Sequence, residues 1–119
     1  HQIKTSLFIE PKLAMIEKAA NLGADIIELH TGNYCHQGLS ARTQLRDEIA
    51  LLAEKATSYG LEAHAGHGLN LAMAAEIASL QAIRELNIGH FIIGEAIFLG
   101  LANIIKKMRQ QIDQARFQP

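Results

Sequence analysis

Asp25-Ile26-Ile27-Glu28-Leu29-His30, a polar loop over 31–40, a helical run ending at Gly60, and then Leu61-Glu62-Ala63-His64-Ala65-Gly66 form the stretch that decides the fold. Two short β-rich runs enclose one long helical period. A strand, a helix and a second strand in that order demand parallel pairing through a right-handed crossover. Within the longer helical run, Leu45, Ile49, Leu52, Ala53 and Ala56 mark one apolar face, and Gly60 stands where a helix C-cap needs glycine.

The same unit recurs on both sides. Upstream, Thr5–Ile9 is a strand closed by Glu10-Pro11, with proline suited to a helix's first turn. Leu13, Ile16, Ala19 and Ala20 then follow helical spacing up to Gly23. Downstream, Asn70 is a good N-cap for the Ala-rich segment Leu71–Leu80. Glu85–Gly89 reads as a fourth strand and Ile92–Leu99 as a brief helix. Leu101, Ile104, Ile105, Met108 and Ile112 define a final helix.

The order βαβαβαβα fits two parallel α/β architectures: a small open sheet, or half of an eight-unit (TIM) barrel. No strand carries the charge or proline guards of a permanent edge, which favours the half-barrel, a parallel (βα)₄ unit whose edges are meant to be covered. On this reading residues 1–119 are one half-barrel and the N-terminal half is absent. His1-Gln2-Ile3-Lys4 has no initiator methionine and runs almost directly into a strand, as an excised piece would.

Composition narrows the function. With 49% apolar and 19% charged residues, the chain is expected to be a folded, water-soluble globule. A formal charge of −1 gives no general pull toward nucleic acid or anionic lipid. No apolar run approaches the roughly 18 residues of a membrane span. The lone Cys35 cannot form an internal disulfide, and with no secretory leader in view it favours the cytoplasm.

Chemistry concentrates where strands hand over to helices. Ala65-Gly66-His67-Gly68-Leu69 and Asn87-Ile88-Gly89-His90 each set an imidazole beside glycine at that junction, where α/β folds bind their ligands. His67 suits a general acid or base, since imidazole titrates near neutral pH; the alternative is a loop histidine bonded to backbone. Gly68, Gly89 and the His90 amide read as a phosphate cradle at a helix start; the alternative is a pair of tight turns. Glu28 and His30 share one strand face, opposite Ile27 and Leu29, and should line the barrel interior. A buried ion pair or a wet strand end is the competing account.

A metal site at His64 and His67 is not expected. Three residues along a strand put them on opposite faces, and neither a cysteine nor a second carboxylate supports them. No cofactor is called for. Lys106, Lys107, Arg109 and Arg116 with Asp113 read as a solvated helix face, and Met73 and Met108 as core filling.

With these residues in view, the chain resembles the C-terminal half of pyridoxine 5'-phosphate synthases. The anchors are Ser6-Leu7-Phe8-Ile9, Ile27-Glu28-Leu29-His30-Thr31-Gly32, Ala65-Gly66-His67-Gly68-Leu69, Glu85-Leu86-Asn87-Ile88-Gly89-His90, and Ile92-Ile93-Gly94 with Ala96 and Gly100-Leu101. The resemblance implies condensation of 1-deoxy-D-xylulose 5-phosphate with 3-amino-2-oxopropyl phosphate, with His67 as proton donor. It also implies that Gly68, Gly89 and His90 bind the aminooxopropyl phosphate, that Glu28 lines the barrel near the substrates, and that the parent is a homo-oligomer. His64 stands where the family is expected to have asparagine and Glu95 where arginine is common, and the loop from Asn70 departs as well. The other catalytic histidine and glutamate belong to the family's N-terminal half, so the chain alone is expected to be inactive and its open edges to drive self-association. A non-catalytic phosphate-binding or assembly module is the rival reading. An aldolase-type barrel is disfavoured because no strand end carries a lysine.

Overall fold

The chain folds as the repeated unit requires. In a computed structural model, which describes residues 1–117, four strands form one sheet in the order β1-β2-β3-β4. They are β1 (Ser6–Ile9), β2 (Ile26–His30), β3 (Glu62–Gly66) and β4 (Ile83–Asn87), all paired in parallel. Between and after them run α1 (Leu13–Asn21), α2 (Gly32–His36), α3 (Leu39–Ser58), α4 (Leu71–Ala78), α5 (His90–Leu99) and α6 (Leu101–Phe117). Consecutive strands are always neighbours. This is a (βα)₄ half-barrel.

Local chemistry explains most boundaries. Asn70 caps α4 by accepting the Met73 N–H at 2.9 Å, and α1 and α3 stop before Gly23 and Gly60, whose φ values are positive. Pro11 lies just outside the helix it introduces, for Lys12 is the cap of α1. Several boundaries differ from expectation by two residues or more. The supposed loop over 31–40 contains α2, and α3 begins at Leu39 rather than near Leu45, because short turns tied by tertiary contacts lack a long apolar period. Strand β4 starts two residues early, at Ile83, a buried residue that faces the core. Arg84 and Glu85 therefore stand exposed on an edge strand, where no charge guard was expected.

The sheet has one dry face. Ile27 and Leu29 are fully buried and join Ile16, Ala19, Ile49, Ala53, Ala56, Ala63 and Ala65 in the core between sheet and helices. Each large aliphatic side chain so buried contributes about 1.5–3 kcal/mol. Arg116 belongs to this architecture and not to a solvated face. Its guanidinium donates to the carbonyls of Ala78, Leu80, Gln81 and Ile83 at 2.9–3.1 Å, stitching α6 to the α4–β4 turn. Arg109 and Asp113 do pair on the surface as expected.

The other face is polar. Register sets Phe8, Glu28, His64 and Glu85 in one row across the sheet, with a bulge between Ala63 and His64 bringing Glu85 into line. His30, Gly66 and Asn87 form the next row. In a closed barrel this face is the interior. Among the described residues, no helix is long and apolar enough to cross a membrane.

Candidate active site

A cleft of about 430 Å³ opens at the C-terminal ends of the strands. Its walls include Glu28, His67, Gly68, Gly89 and His90, together with Phe8, His36 and Asn87. The two glycine-flanked histidines, twenty-three positions apart in sequence, therefore meet at one mouth. His30 backs the cleft: its ring stacks on that of His67 with centroids 4.7 Å apart and planes tilted by 31°. Phe8 meets His30 edge-on at 5.1 Å, and Glu10 approaches His30 Nδ1 at 3.4 Å.

His67 lies past the end of β3, in a left-handed turn shared with Gly68. Its side chain is exposed at the mouth of the cleft. Gly68 and Gly89 differ. Gly68 has φ +83°, and a β-carbon there would press on Cys35 at 3.2 Å, so backbone and packing both require glycine. Gly89 has φ −118° and open space where a β-carbon would go. Neither strain nor crowding accounts for it. The first turn of α5 starts beside it: Ile93 N–H bonds Gly89 O, and the N–H groups before Ile93 have no partner within the helix.

Glu28 is held as a directed carboxylate. Asn87 Nδ2 donates to its Oε2 at 3.0 Å, and its Oε1 lies over Gly66, where only glycine leaves room. His36, unmarked by sequence reasoning, enters through α2. Its Nδ1 donates to Gly32 O at 2.6 Å, which leaves Nε2 for the cleft. Asn87 sat inside a recognised motif, but nothing local signalled its bond to Glu28, fifty-nine positions away.

His64 lies lower in the interior, buried, and away from the cleft lining. Two carboxylates do flank it, contrary to expectation: Glu62 Oε1 at 2.8 Å from Nε2 and Glu85 Oε1 at 3.5 Å from Nδ1. Each nitrogen faces its own carboxylate, hydrogen-bonded to Glu62 and only within ion-pair reach of Glu85, so the three groups form a row across β3 and β4 and not a convergent ligand set. The His64 bond holds the Glu62 carboxyl below its ordinary range. Cys35 is pushed the other way, its thiol raised by burial; such a group is a poor nucleophile at neutral pH.

Residues 1–114 match the PdxJ family, described as pyridoxal phosphate biosynthesis protein PdxJ. The chain belongs to the PdxJ family. Among curated relatives, the pyridoxine 5'-phosphate synthase of Rhodospirillum rubrum is 49% identical over 114 residues, covering 95% of this chain and 46% of the relative. The synthase of Xanthobacter autotrophicus is 50% identical over 118 residues, covering 96% and 46%. That of Jannaschia sp. is 48% identical over 118, covering 96% and 48%. This PdxJ chain thus spans about half the length of the relatives it matches, in keeping with four βα units of an eight-unit barrel.

Proposed function

We infer that the chain is the proton-donating and phosphate-gripping half of a pyridoxine 5'-phosphate synthase. The reaction condenses 1-deoxy-D-xylulose 5-phosphate with 3-amino-2-oxopropyl phosphate, releasing inorganic phosphate and water. One observation carries the reading: Gly68, Gly89 and His90 line a single cleft with His67. The amides of the Gly68 turn and of the first turn of α5 grip the phosphate of the aminooxopropyl substrate. His67 beside them delivers the proton that lets a hydroxyl leave as water. Glu28, aimed by Asn87, presents fixed negative charge to the cationic imine formed when amine and ketone condense. Fixing one substrate through its phosphate beside the proton donor supplies the positioning such a condensation needs.

The remaining catalytic groups and the deoxyxylulose phosphate contacts belong to the half of the relatives that this chain does not span. The test is complementation. The chain alone should show negligible synthase turnover. Adding the unmatched half of the Rhodospirillum rubrum relative should restore turnover, and His67→Asn should abolish it again. Near-normal turnover from the chain alone would refute the division of labour. Phosphate binding without turnover in any complemented mixture would favour a non-catalytic binding module.

The reading extends to setting and assembly. Cys35 is free, as suits the reducing cytoplasm. Ile97 and Phe98 of α5 are 78% and 84% exposed, apolar surface that supports a homo-oligomer. A monodisperse monomer in sedimentation at micromolar concentration would count against self-association.

A further inference from the structure

Two consecutive residues in the loop that presents His67 have positive φ, His67 at +80° and Gly68 at +83°. Glycine adopts such a backbone freely, whereas a histidine needs support from its surroundings. The support is concentrated on one side chain. Thr31 is fully buried at the end of β2. Its Oγ1 lies 2.7 Å from Gly66 O and 2.7 Å from His67 O, while its own N–H donates to Gly66 O at 2.8 Å. Since the amide already serves Gly66 O, the single hydroxyl proton is left for His67 O. The Cys35 thiol, 3.7 Å from the same carbonyl, is a much weaker donor.

We propose that Thr31 is a positioning residue for His67: its hydroxyl anchors the His67 carbonyl, fixing the left-handed turn that stacks the imidazole on His30 and presents it to the cleft. Thr31 is absent from the cleft wall, so it acts only through the loop. The proposal rests on reading His67 as the proton donor, and its test separates the two.

Thr31→Val keeps the branched shape and deletes the hydroxyl. In the 119-residue chain, NMR should show His67 losing the one-bond Cα–Hα coupling of a positive φ, and its ring losing the ring-current shift from His30. Thr31→Ser should restore both. In the complemented enzyme, Thr31→Val should lower kcat by roughly 10–100-fold, the cost of a misplaced group, with KM for the aminooxopropyl phosphate within about threefold. Thr31→Ser should recover kcat. A Thr31→Val chain with unchanged His67 coupling and ring shift overturns the proposal. If that variant does not fold, the unsubstituted chain decides: a slowly exchanging Thr31 hydroxyl proton supports the anchor, and one exchanging at the solvent rate overturns it. The backbone readout needs no catalysis. Absence of turnover in the unsubstituted complemented enzyme would therefore sink the functional reading and leave the Thr31 assignment standing.

Discussion

Replacing Gly66 by alanine probes the junction between fold and site. Gly66 does not have positive φ, so the change brings no backbone strain, and the stiffer unfolded chain should stabilise the fold by about 0.4–1 kcal/mol. Crowding opposes this. The added β-carbon would collide with Glu28 Oε1 and lie 2.9 Å from Asn87 O and 3.1 Å from Asn87 Cβ. Glu28 can swing away, but Asn87 O belongs to β4, whose Asn87 is registered directly against Gly66. The edge strand must then move, at an overpacking cost of about 1–3 kcal/mol. Losing the Asn87–Glu28 hydrogen bond adds about 1 kcal/mol. The net loss is about 2 kcal/mol. With an unfolding entropy of about 2.1 cal/mol/K per residue, the melting temperature should fall by about 8 °C. Thermal unfolding followed by circular dichroism measures it. A second arm uses Glu28→Ala, which removes the carboxylate from above Gly66. In that background Gly66→Ala should cost less, by a coupling of about 0.5–1.5 kcal/mol. A Gly66→Ala chain melting within about 1 °C of the parent would refute the crowding argument. Equal costs in both backgrounds would place the obstruction on Asn87 alone.

Three further outcomes follow from the geometry. Asn70→Ala removes the α4 cap and should lower stability by about 1 kcal/mol in urea unfolding, with Asn70→Ser retaining most of it. Cys35, its thiol raised by burial, should react slowly with a disulfide reagent at neutral pH in the folded chain and rapidly once urea exposes it; equal rates would contradict the burial. Glu62 is held below its ordinary value of 4.5, chiefly by the His64 hydrogen bond, then by the positive charges around it. A carboxyl depressed in the folded state stabilises above its unfolded value and loses that contribution as pH falls through the folded one. The urea midpoint should therefore drop below about pH 4.5, and less so in Glu62→Gln; parallel curves for the two chains would remove Glu62 from the account.

The parallel fold was legible because each βα unit carries two periods at once, two along Asp25–His30 and 3.6 along Leu45–Ala56. The repeat of that unit left an open sheet and a half-barrel both open. The half-barrel was chosen because the edges looked unguarded, a premise that fails at the exposed Arg84 and Glu85 of β4 although the fold itself agrees. The cleft followed from glycine beside histidine at two strand ends. What escaped were contacts across sequence distance. Helix α2 is five residues long and is organised by Tyr34, whose hydroxyl donates to Glu76 Oε2 at 2.6 Å, forty-two positions away. No local pattern encodes that bond. Arg116 looked like one cation among several on a wet helix, and only the folded turn at Ala78–Ile83 shows why it is half-buried. Of the two carboxylates beside His64, Glu62 lies two residues back on the same strand face and was open to simple alternation, whereas Glu85 joins through a bulge, and a strict alternation of faces cannot foresee a skipped residue.

The sheet order β1-β2-β3-β4 has one more consequence. Because sequence neighbours are spatial neighbours throughout, no strand must be threaded between two others, and both flanks of the ladder expose unused donors and acceptors. Another βα module could dock at either flank without prising open a pairing already made. Such a layout grows like a staircase, by adding steps at either end.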